Sequence, residues 1–335
     1  MARMTFWILF AAAIAWLLWY MVTVPGKSYS GPFKPLTAEE TQLRENLRGH
    51  VAAVASREHN VFHFAELEAA AQYIELTLSR FGYRADTQRF KVSVGEVRNI
   101  EVEIKGAARA SEIIIVGAHY DSVFGAPGGN DNGSGVAAAI ELARLFRDHR
   151  PGRTLRFVLF VDEEPPFFKS EEMGSRHYAR RAKERGENIV AMFSLETIGY
   201  YSDKPGSQRY PFPLSFFYPN TGNFVAFVSN FASRPLLHEV IASFRRHAEF
   251  PSEGAAAPAV LPGVDWSDHW SFWQEGYRAL MVTDTALFRY PHYHAATDTP
   301  DKVDYERLAR LTSGLYRMLR DLAQVEEPLG ADVRR

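Results

Sequence analysis

Three short apolar runs occupy the middle of the chain, and helical patterns separate them. They lie at residues 112–121, 154–161 and 188–199, with the sequences EIIIVGAHYD, TLRFVLFV and NIVAMFSLETIG. Continuous apolar runs of this length are typical of strands that are buried on both faces. The amphipathic segment 135–148 lies between the first two runs. Strands that alternate with helices in this way predict an α/β fold with a mixed, mainly parallel sheet.

Further elements extend the α/β pattern in both directions. A helix is predicted to open at Thr37, because Glu40 three residues later has the spacing of a capping box. Residues 202–213 and 250–270 are predicted to be long loops, and loops of that length often form part of a site. The other predicted elements are a helix at 65–81, two strands within 88–106 joined at Gly95, a basic helix at 175–186, strands at 214–219 and 278–285, and a closing helix at 304–325.

The N-terminal segment 5–24, TFWILFAAAIAWLLWYMVTV, carries no charge over twenty residues. As a helix it would span about 30 Å, the hydrocarbon thickness of a bilayer. Trp16, Trp19 and Tyr20 lie towards its outer end, where aromatic rings favour the membrane interface. We therefore interpret it as an uncleaved single-pass membrane anchor. The alternative is a cleaved signal peptide, although no clear small-x-small cleavage site follows.

This interpretation divides the chain into four parts. Residues 1–26 form the anchor or uncleaved signal, 27–36 a linker rich in turn residues, 37–328 the main folded domain and 329–335 a tail. Arg3 and the amino terminus would stay in the cytoplasm. The main domain would then lie outside the cytoplasm, in the periplasm or the extracellular space, and would be secreted if the segment is cleaved.

Charge and cysteine content exclude several classes of function. The formal net charge is −2, so the chain has no broad basic field that would attract nucleic acid. The sequence contains no cysteine, which excludes disulfides and thiolate metal sites. Any metal ion must therefore be held by histidine and carboxylate side chains. Composition leaves the oligomeric state open.

Polar residues follow each of the apolar runs, where the carboxyl ends of strands in an α/β sheet form binding sites. Taken singly, each of these residues has an ordinary structural explanation, such as a loop histidine or a solvated helix start. Together they form a set of histidine and carboxylate groups suited to zinc. The set comprises His119 and Asp121, then Asp131 in GGNDNGSG, Asp162, Glu163 and Glu164, then Glu196, Asp268, His269, His292 and His294.

The motifs that carry these residues resemble those of the M28 family of zinc peptidases, the aminopeptidase and glutaminyl-cyclase-like group. The matching motifs are HYDS, GGNDNGSGVAAAIELAR, the EE after a strand, GSRHYA, SLETIGY, SDHWSF and YHAATDTPDKV, in family order over residues 90–325. The resemblance implies a three-layer α/β sandwich of the zinc-exopeptidase type. It also implies two zinc ions per chain and hydrolysis of a peptide substrate from its amino terminus.

The resemblance also implies a role for each matching residue. His119 and Glu196 would bind the first zinc ion. The family commonly has Asp at the position of Glu196, and Glu has the longer side chain but the same carboxylate group. Glu164 and His294 would bind the second ion. Asp131 would bridge the two ions, with a cis peptide bond directly after it. Glu163 would be the general base, and Asp121 would accept the free N–H of His119 and fix its tautomer.

Two further residues are predicted to contact substrate. Asp268 could position the substrate or His294, although a plain helix N-cap at Ser267 or Asp268 explains the motif equally well. Tyr293 is one of several aromatic residues that could wall a pocket for an apolar side chain or pack in the core.

Functions other than that of a peptidase are less well supported by the sequence. The segment 133–138, GSGVAA, resembles a dinucleotide fingerprint but lies too far after its strand. Ser134 lacks the G-x-S-x-G context of a serine hydrolase. Two functions on the same fold stay open, namely glutaminyl-peptide cyclisation and a non-catalytic role as a membrane-tethered binding protein. The complete set of donor residues favours a hydrolase.

Overall fold

A computed structural model describes residues 2–325. Its helices are α1 (Ala2–Val22), α2 (Ala38–Val54), α3 (Phe64–Arg80), α4 (Gly133–Phe146), α5 (Gly174–Glu184), α6 (Arg234–His247), α7 (His269–Gln274) and α8 (Tyr305–Leu322). Its strands are β1 (Asp86–Val92), β2 (Gly95–Ile104), β3 (Arg109–His119), β4 (Arg153–Phe160), β5 (Asn188–Glu196), β6 (Val225–Ser229), β7 (Ser252–Ala256) and β8 (Ala279–Thr283).

The strands of the described residues form one mixed sheet in the order β1-β2-β4-β3-β5-β8-β6-β7. The central strands β4, β3, β5 and β8 are parallel to one another. β1 and β2 are antiparallel to their neighbours at one edge, and β6 pairs antiparallel with β8 near the other. The predicted mixed sheet with a parallel centre is therefore confirmed.

Helices cover both faces of the sheet, which gives the predicted three layers. On β3, Ile114 and Val116 pack into the larger core with α2, α4, α6 and α8. Ile113 and Ile115 point to the opposite face, where they pack with residues of α5 and α7. Alternate side chains of a strand point to opposite faces, so a strand covered on both sides must be apolar throughout.

The expectation of a strand at 214–219 is wrong. Leu214–Phe216 forms a short 3-10 helix, and the strand of this region is β6, which begins at Val225. Aromatic residues favour strands only where a partner strand is available, and β8 and β7 pair with β6 instead.

The long loop expected at 250–270 is interrupted by β7, and α6 was not predicted. β7 has the sequence SEGAA, with no apolar alternation, and backbone pairing with β6 holds it in the sheet.

Thr37 and Glu40 form the expected capping box, since each side chain accepts a hydrogen bond from the backbone N–H of the other residue. The predicted domain end at 328 and the tail 329–335 lie outside the described residues.

Within residues 2–325, one helical segment, Arg3–Val22, is long and apolar enough to cross a membrane. A signal sequence would satisfy the same criterion. Most of its large apolar side chains are exposed, but Met21 in its last turn is buried against Leu214, Ala257 and Val264 of the main domain.

Candidate metal centre

The parallel centre of the sheet brings three polar strand ends together. His119 is the last residue of β3, and Glu196 is the last residue of β5. Glu163 and Glu164 follow β4 within four residues of its end. β3 lies between β4 and β5 in the sheet, and the three strands run in the same direction. Their carboxyl ends therefore meet at one edge, and all four side chains are buried there.

One group of possible metal ligands surrounds His119. Nε2 of His119 lies 3.5 Å from Oδ1 of Asp131 and 3.4 Å from Oε2 of Glu196. The three donor atoms lie within 4.8 Å of one another. One cation could contact all three of them, so the structure brings together the three residues expected at the first zinc ion.

A second group surrounds His294. Nε2 of His294 lies 3.2 Å from Oδ2 of Asp131 and 3.4 Å from Oε2 of Glu164. His294 adopts a positive φ of 53°, in a loop that follows β8. Asp131 thus contributes one oxygen to each group. This is the arrangement that a shared, bridging carboxylate requires.

The position of Asp131 is set by its own backbone. The carboxylate of Asp298 accepts the N–H of Asn130 at 2.8 Å and the N–H of Asp131 at 3.1 Å. The peptide bond between Asp131 and Asn132 is cis, as the resemblance implied. Gly129 packs against the backbone of Thr299, and an added Cβ would lie 2.5 Å from the Thr299 carbonyl carbon. Only glycine permits that approach, which holds the loop beside Asp298.

Asp121 connects the ends of β3 and β4. Its two carboxylate oxygens accept the backbone N–H groups of Glu163 and Glu164, each at 3.1 Å. Nδ1 of His119 lies 3.1 Å from the backbone carbonyl oxygen of Asp121 and 3.5 Å from its carboxylate. The nearest acceptor for His119 is therefore the carbonyl oxygen. The carboxylate mainly positions the backbone of the two glutamates.

Glu163 lies close to one member of each donor group, since donor atoms of His119, Glu163 and Glu164 lie within 4.8 Å of one another. Its Oε2 is 3.9 Å from Nε2 of His119. Burial raises the pKa of Glu163 well above its ordinary value, and Glu196 and Glu164 raise it further, against the lowering effect of His119. A carboxylate with a raised pKa is a stronger base, which is the property that a general base needs.

The electrostatics of the other donors reflect crowding of carboxylates around two histidines. Burial lowers the pKa of His294, but Asp131 and Glu164 outweigh it and raise the pKa to about 10. Burial raises the pKa values of Glu164 and Glu196 to about 7. Asp162, two residues after the end of β4, has its pKa raised to about 9 by burial and by Asp121.

The donor residues fit a zinc centre. Nε2 of His119, Oδ2 of Asp131 and Oε1 of Glu164 are buried, and none has a hydrogen-bond partner among residues 2–325. Buried polar atoms without partners are costly, so their convergence indicates that a cation completes them. Imidazole nitrogens and carboxylate oxygens without thiolates are typical ligands of zinc.

Asp268 and Tyr293 both lie near the donor residues, Asp268 beside His119 and Tyr293 beside Asp131 and Glu164. Asp268 precedes α7, but its side chain makes no capping hydrogen bond. Burial raises its pKa to about 7. The Tyr293 ring stacks on His294, with 3.9 Å between the ring centroids. His292 instead faces Thr297, at 2.8 Å from its hydroxyl.

The motifs and the geometry indicate one family, and comparison with known sequences identifies that family. The sequence model of peptidase family M28 matches residues 99–319. The chain belongs to peptidase family M28. It is therefore a hydrolase of the metallopeptidase class, and its donor residues lie in the matched region.

Relatives of this M28 chain span bacteria and fungi. It is 34% identical over 297 residues to the uncharacterized protein YfbL of Escherichia coli (strain K12), covering 86% of this chain and 90% of YfbL. Several further curated relatives carry the names of zinc metalloproteases or aminopeptidases. The chain spans only 26% to 54% of the length of those relatives.

Solved structures share the M28 fold. BSAP, a zinc aminopeptidase from Bacillus subtilis, aligns with a TM-score of 0.66 at 15% identity, over 90% of this chain and 98% of that one. A glutaminyl cyclase from Porphyromonas gingivalis aligns with a TM-score of 0.63 at 17% identity, over 83% of this chain and 98% of that one.

Two residues were given no role at the M28 site from the sequence. Ser267 donates its hydroxyl to Oε2 of Glu196 at 2.7 Å, which orients that carboxylate. Asp298 holds the backbone before and at Asp131, and it also accepts the hydroxyl of Tyr290 at 2.6 Å. Ser267 lies in the motif SDHWSF and Asp298 in the motif YHAATDTPDKV. Membership of these motifs is the only local sequence feature that could have indicated a role at the site.

Proposed function

We propose that this chain is a membrane-anchored aminopeptidase that holds two zinc ions and removes the N-terminal residue of a peptide. The observation that carries the proposal is the carboxylate of Asp131. Its two oxygens face His119 and His294, which belong to separate groups of donor residues. A carboxylate with one oxygen in each of two ligand groups is what a pair of co-catalytic ions requires.

The residues of the chain divide the chemistry among them. Two zinc ions held by these donors would polarise the scissile carbonyl and make a water molecule a nucleophile near neutral pH. Glu163 accepts the proton of the attacking water and delivers it to the amine nitrogen as the C–N bond breaks. Asp121 holds the backbone of Glu163 and Glu164, so base and ligand keep a constant separation.

An apolar cavity beside the site supports a preference for large apolar N-terminal residues. It measures about 810 Å³, including the space at its open mouth, and Glu196 and Tyr293 lie on its wall. This is within the size range of small-ligand pockets. Its wall is formed mainly by apolar side chains, among them Leu214, Phe224, Ala226, Val264 and Met281.

The membrane anchor of the proposal is α1. Its exposed surface is almost entirely apolar, with large side chains such as Ile8, Leu9 and Trp16 more than half exposed. Exposed apolar side chains along a whole helix are unfavourable in water and favourable in a bilayer. With Arg3 on the cytoplasmic side, the catalytic domain lies outside the cytoplasm.

Cyclisation of N-terminal glutaminyl peptides is the second candidate function. The fold similarity to a glutaminyl cyclase favours it. Both donor groups around Asp131 are complete in this chain, which favours hydrolysis over cyclisation. Complete donor groups also argue against a non-catalytic binding protein.

The test uses the full chain in detergent or in bilayer nanodiscs. We expect about two zinc ions per chain by mass spectrometry and hydrolysis of amino-acid p-nitroanilides that stops on chelation and returns with zinc. Fewer than one zinc ion per chain, or hydrolysis that is indifferent to chelation, would contradict the proposal. Release of ammonia from a glutaminyl peptide, without hydrolysis of the anilides, would support cyclisation instead.

A further inference from the structure

Two loops of the catalytic domain, the second beginning with the last two residues of β7, are apolar and free of charge, and each exposes large side chains. Residues 211–218, PFPLSFFY, and 255–264, AAAPAVLPGV, contain no charged side chain. Phe212 is 79% exposed, Phe216 76% and Val260 85%. Exposed loops of soluble domains are normally polar, and clustered exposed apolar side chains mark a surface that contacts a protein or a lipid.

Both loops lie against the last turn of α1. Met21 packs in one cluster with Leu214 of the first loop and with Ala257 and Val264 of the second. Leu18 and Val22 of α1 pack against the same cluster. The exposed side chains Phe212 and Phe216, whose ring centroids are 6.1 Å apart, flank Leu214. The two loops therefore surround the point where α1 enters the domain.

The end of α1 is fastened to the domain by polar contacts as well. Arg234 donates to the backbone carbonyl oxygens of Tyr20 and Thr23, at 2.9 and 3.3 Å, and its guanidinium lies 3.9 Å from the Tyr20 ring centroid. Arg245 donates to the carbonyl oxygens of Pro25 and Gly26. These contacts fix where the anchor leaves the domain, so the domain and α1 have one relative position.

The length of α1 sets the depth of these loops. A helix of about twenty residues spans about 30 Å, so the hydrocarbon boundary lies near its last turn when the helix crosses a bilayer. Trp16 and Trp19 are exposed in the last two turns, and such aromatic side chains favour the interface. Leu214 and Val264 contact Met21 at this level. Their exposed neighbours are therefore at the height of the lipid headgroups.

We propose that residues 211–218 and 255–264 form a second membrane contact, in which Phe212, Phe216 and Val260 insert into the interface of the bilayer that holds α1. The occupant of this apolar surface is lipid. The inference rests on the membrane anchoring proposed above. It adds that the catalytic domain lies on the membrane in a fixed orientation and does not swing freely on the linker.

The contact has a consequence for the substrate. Pro211, Leu214, Pro262 and Val264 belong to these loops and also line the apolar cavity beside the metal centre. The cavity wall is thus built from the membrane-contacting loops. The substrate class that fits this placement is a peptide or protein whose amino terminus is presented close to the bilayer surface.

The test is a depth measurement on the full chain in lipid vesicles. Because the chain has no cysteine, single variants can each be labelled at one position with an environment-sensitive fluorophore. Phe216→Cys and Val260→Cys report the proposed contact, and Ile8→Cys reports insertion of α1. Val94→Cys is the matched control, since Val94 is also an exposed apolar residue, 49% exposed, in the turn between β1 and β2. β1 and β7 form opposite edges of the sheet, and α1 contacts β7. The turn at Val94 therefore lies roughly 34 Å across the sheet from the strand that α1 contacts.

Lipids with a nitroxide just below the headgroups serve as the quencher. We expect quenching of roughly twofold or more at positions 216 and 260, and little at position 94. If position 8 is quenched while 216 and 260 behave like position 94, the second contact does not exist. A label at 216 or 260 that is shielded but not quenched would indicate a protein partner or self-association, and would also overturn the inference.

The same samples separate this inference from the proposed function. Loss of quenching at position 8 would remove the anchor, and with it the basis of the second contact. Zinc-dependent hydrolysis is measured on the same labelled chains. If it fails, the proposed peptidase function is contradicted, but the quenching at positions 216 and 260 still tests the membrane contact. Far-UV circular dichroism of each variant verifies that it is folded.

Discussion

Oδ2 of Asp131 lies 3.2 Å from Nε2 of His294, although the two residues are far apart in the chain. The other oxygen of the same carboxylate lies 3.5 Å from Nε2 of His119. One side chain thus connects the two groups of donors, His119 with Glu196 and Glu164 with His294. Loss of this carboxylate should therefore affect both groups at once.

We expect Asp131→Asn to lose both zinc ions. The amide offers one neutral oxygen where the carboxylate offers two charged ones, so neither group keeps its full set of ligands. Zinc content should fall below one ion per chain, and kcat/KM by at least about 100-fold. Mass spectrometry and anilide hydrolysis measure the two quantities. Retention of two ions by this variant would contradict the bridging role.

Replacement of Glu163 should separate catalysis from metal binding. We expect Glu163→Gln to keep two zinc ions and to lose about 10²- to 10⁴-fold in kcat, because the amide cannot accept the proton of water. The matched control is Glu171→Gln, at an exposed glutamate that pairs with Arg176 and Arg180 on the surface. Loss of zinc from Glu163→Gln would mean that this residue is a ligand and not the base.

The backbone contacts of Asp121 predict an indirect effect on the site. In Asp121→Asn the amide group can accept only one of the N–H groups of Glu163 and Glu164, and its own N–H₂ faces the other. Zinc affinity should fall by about 10- to 100-fold, with activity restored at high zinc concentration. Titration with a competing chelator measures the affinity. An unchanged affinity would exclude a positioning role for Asp121.

Removal of metal should destabilise the folded chain. A ligand that binds only the folded state adds about 2.7 kcal/mol when its free concentration is 100 times Kd. Thermal unfolding with chelator should therefore occur at a lower temperature than with zinc, and zinc should restore the difference. The Asp131→Asn variant is the control, because its melting temperature should respond weakly to chelation.

The apolar cavity predicts a change in substrate preference. Ala255 of β7 is half-buried and lies on the cavity wall. Ala255→Leu should narrow the cavity and lower kcat/KM for leucine and phenylalanine anilides by about 10-fold or more. Hydrolysis of the alanine anilide, measured on the same sample, is the internal control and should change little. Equal losses for all three substrates would place the substrate side chain elsewhere.

Stability away from the site should depend on pH through Glu68. The buried Arg98 donates to Glu68 and Glu75, and its hydrogen bonds lower the pKa of Glu68 below the ordinary value of 4.5. A carboxylate with a lowered folded pKa stabilises the fold above its unfolded pKa and loses that contribution as the pH falls through the folded value. Glu68→Gln should therefore destabilise the chain near neutral pH, by on the order of 1 kcal/mol.

The difference between wild type and Glu68→Gln should disappear as the pH falls below 4.5. Chemical denaturation at several pH values measures it. The control is Glu184→Gln, at an exposed glutamate that is not one of the partners of Arg98. If the difference in stability between wild type and Glu68→Gln is the same at all pH values, protonation of Glu68 does not control it and the prediction is wrong.

The local sequence predicted the elements that carry most of the donors. β3, β4 and β5 are recognisable because strands covered on both faces must be apolar along their whole length. The polar residues that interrupt these runs, such as His119 and Glu196, stand out for the same reason. The strand expected at 214–219 failed because pairing depends on a partner strand that local composition does not specify.

The sequence by itself determined the kinds of donor, the strand ends that present them and the family, since these depend on neighbouring residues and on motifs. Only the tertiary structure decided that Asp131 faces both histidines, that Ser267 orients Glu196, and that α1 packs against the loops beside the cavity. The reason is physical: these contacts join residues far apart in the chain, and the order of strands in the sheet and the packing of helices bring them together.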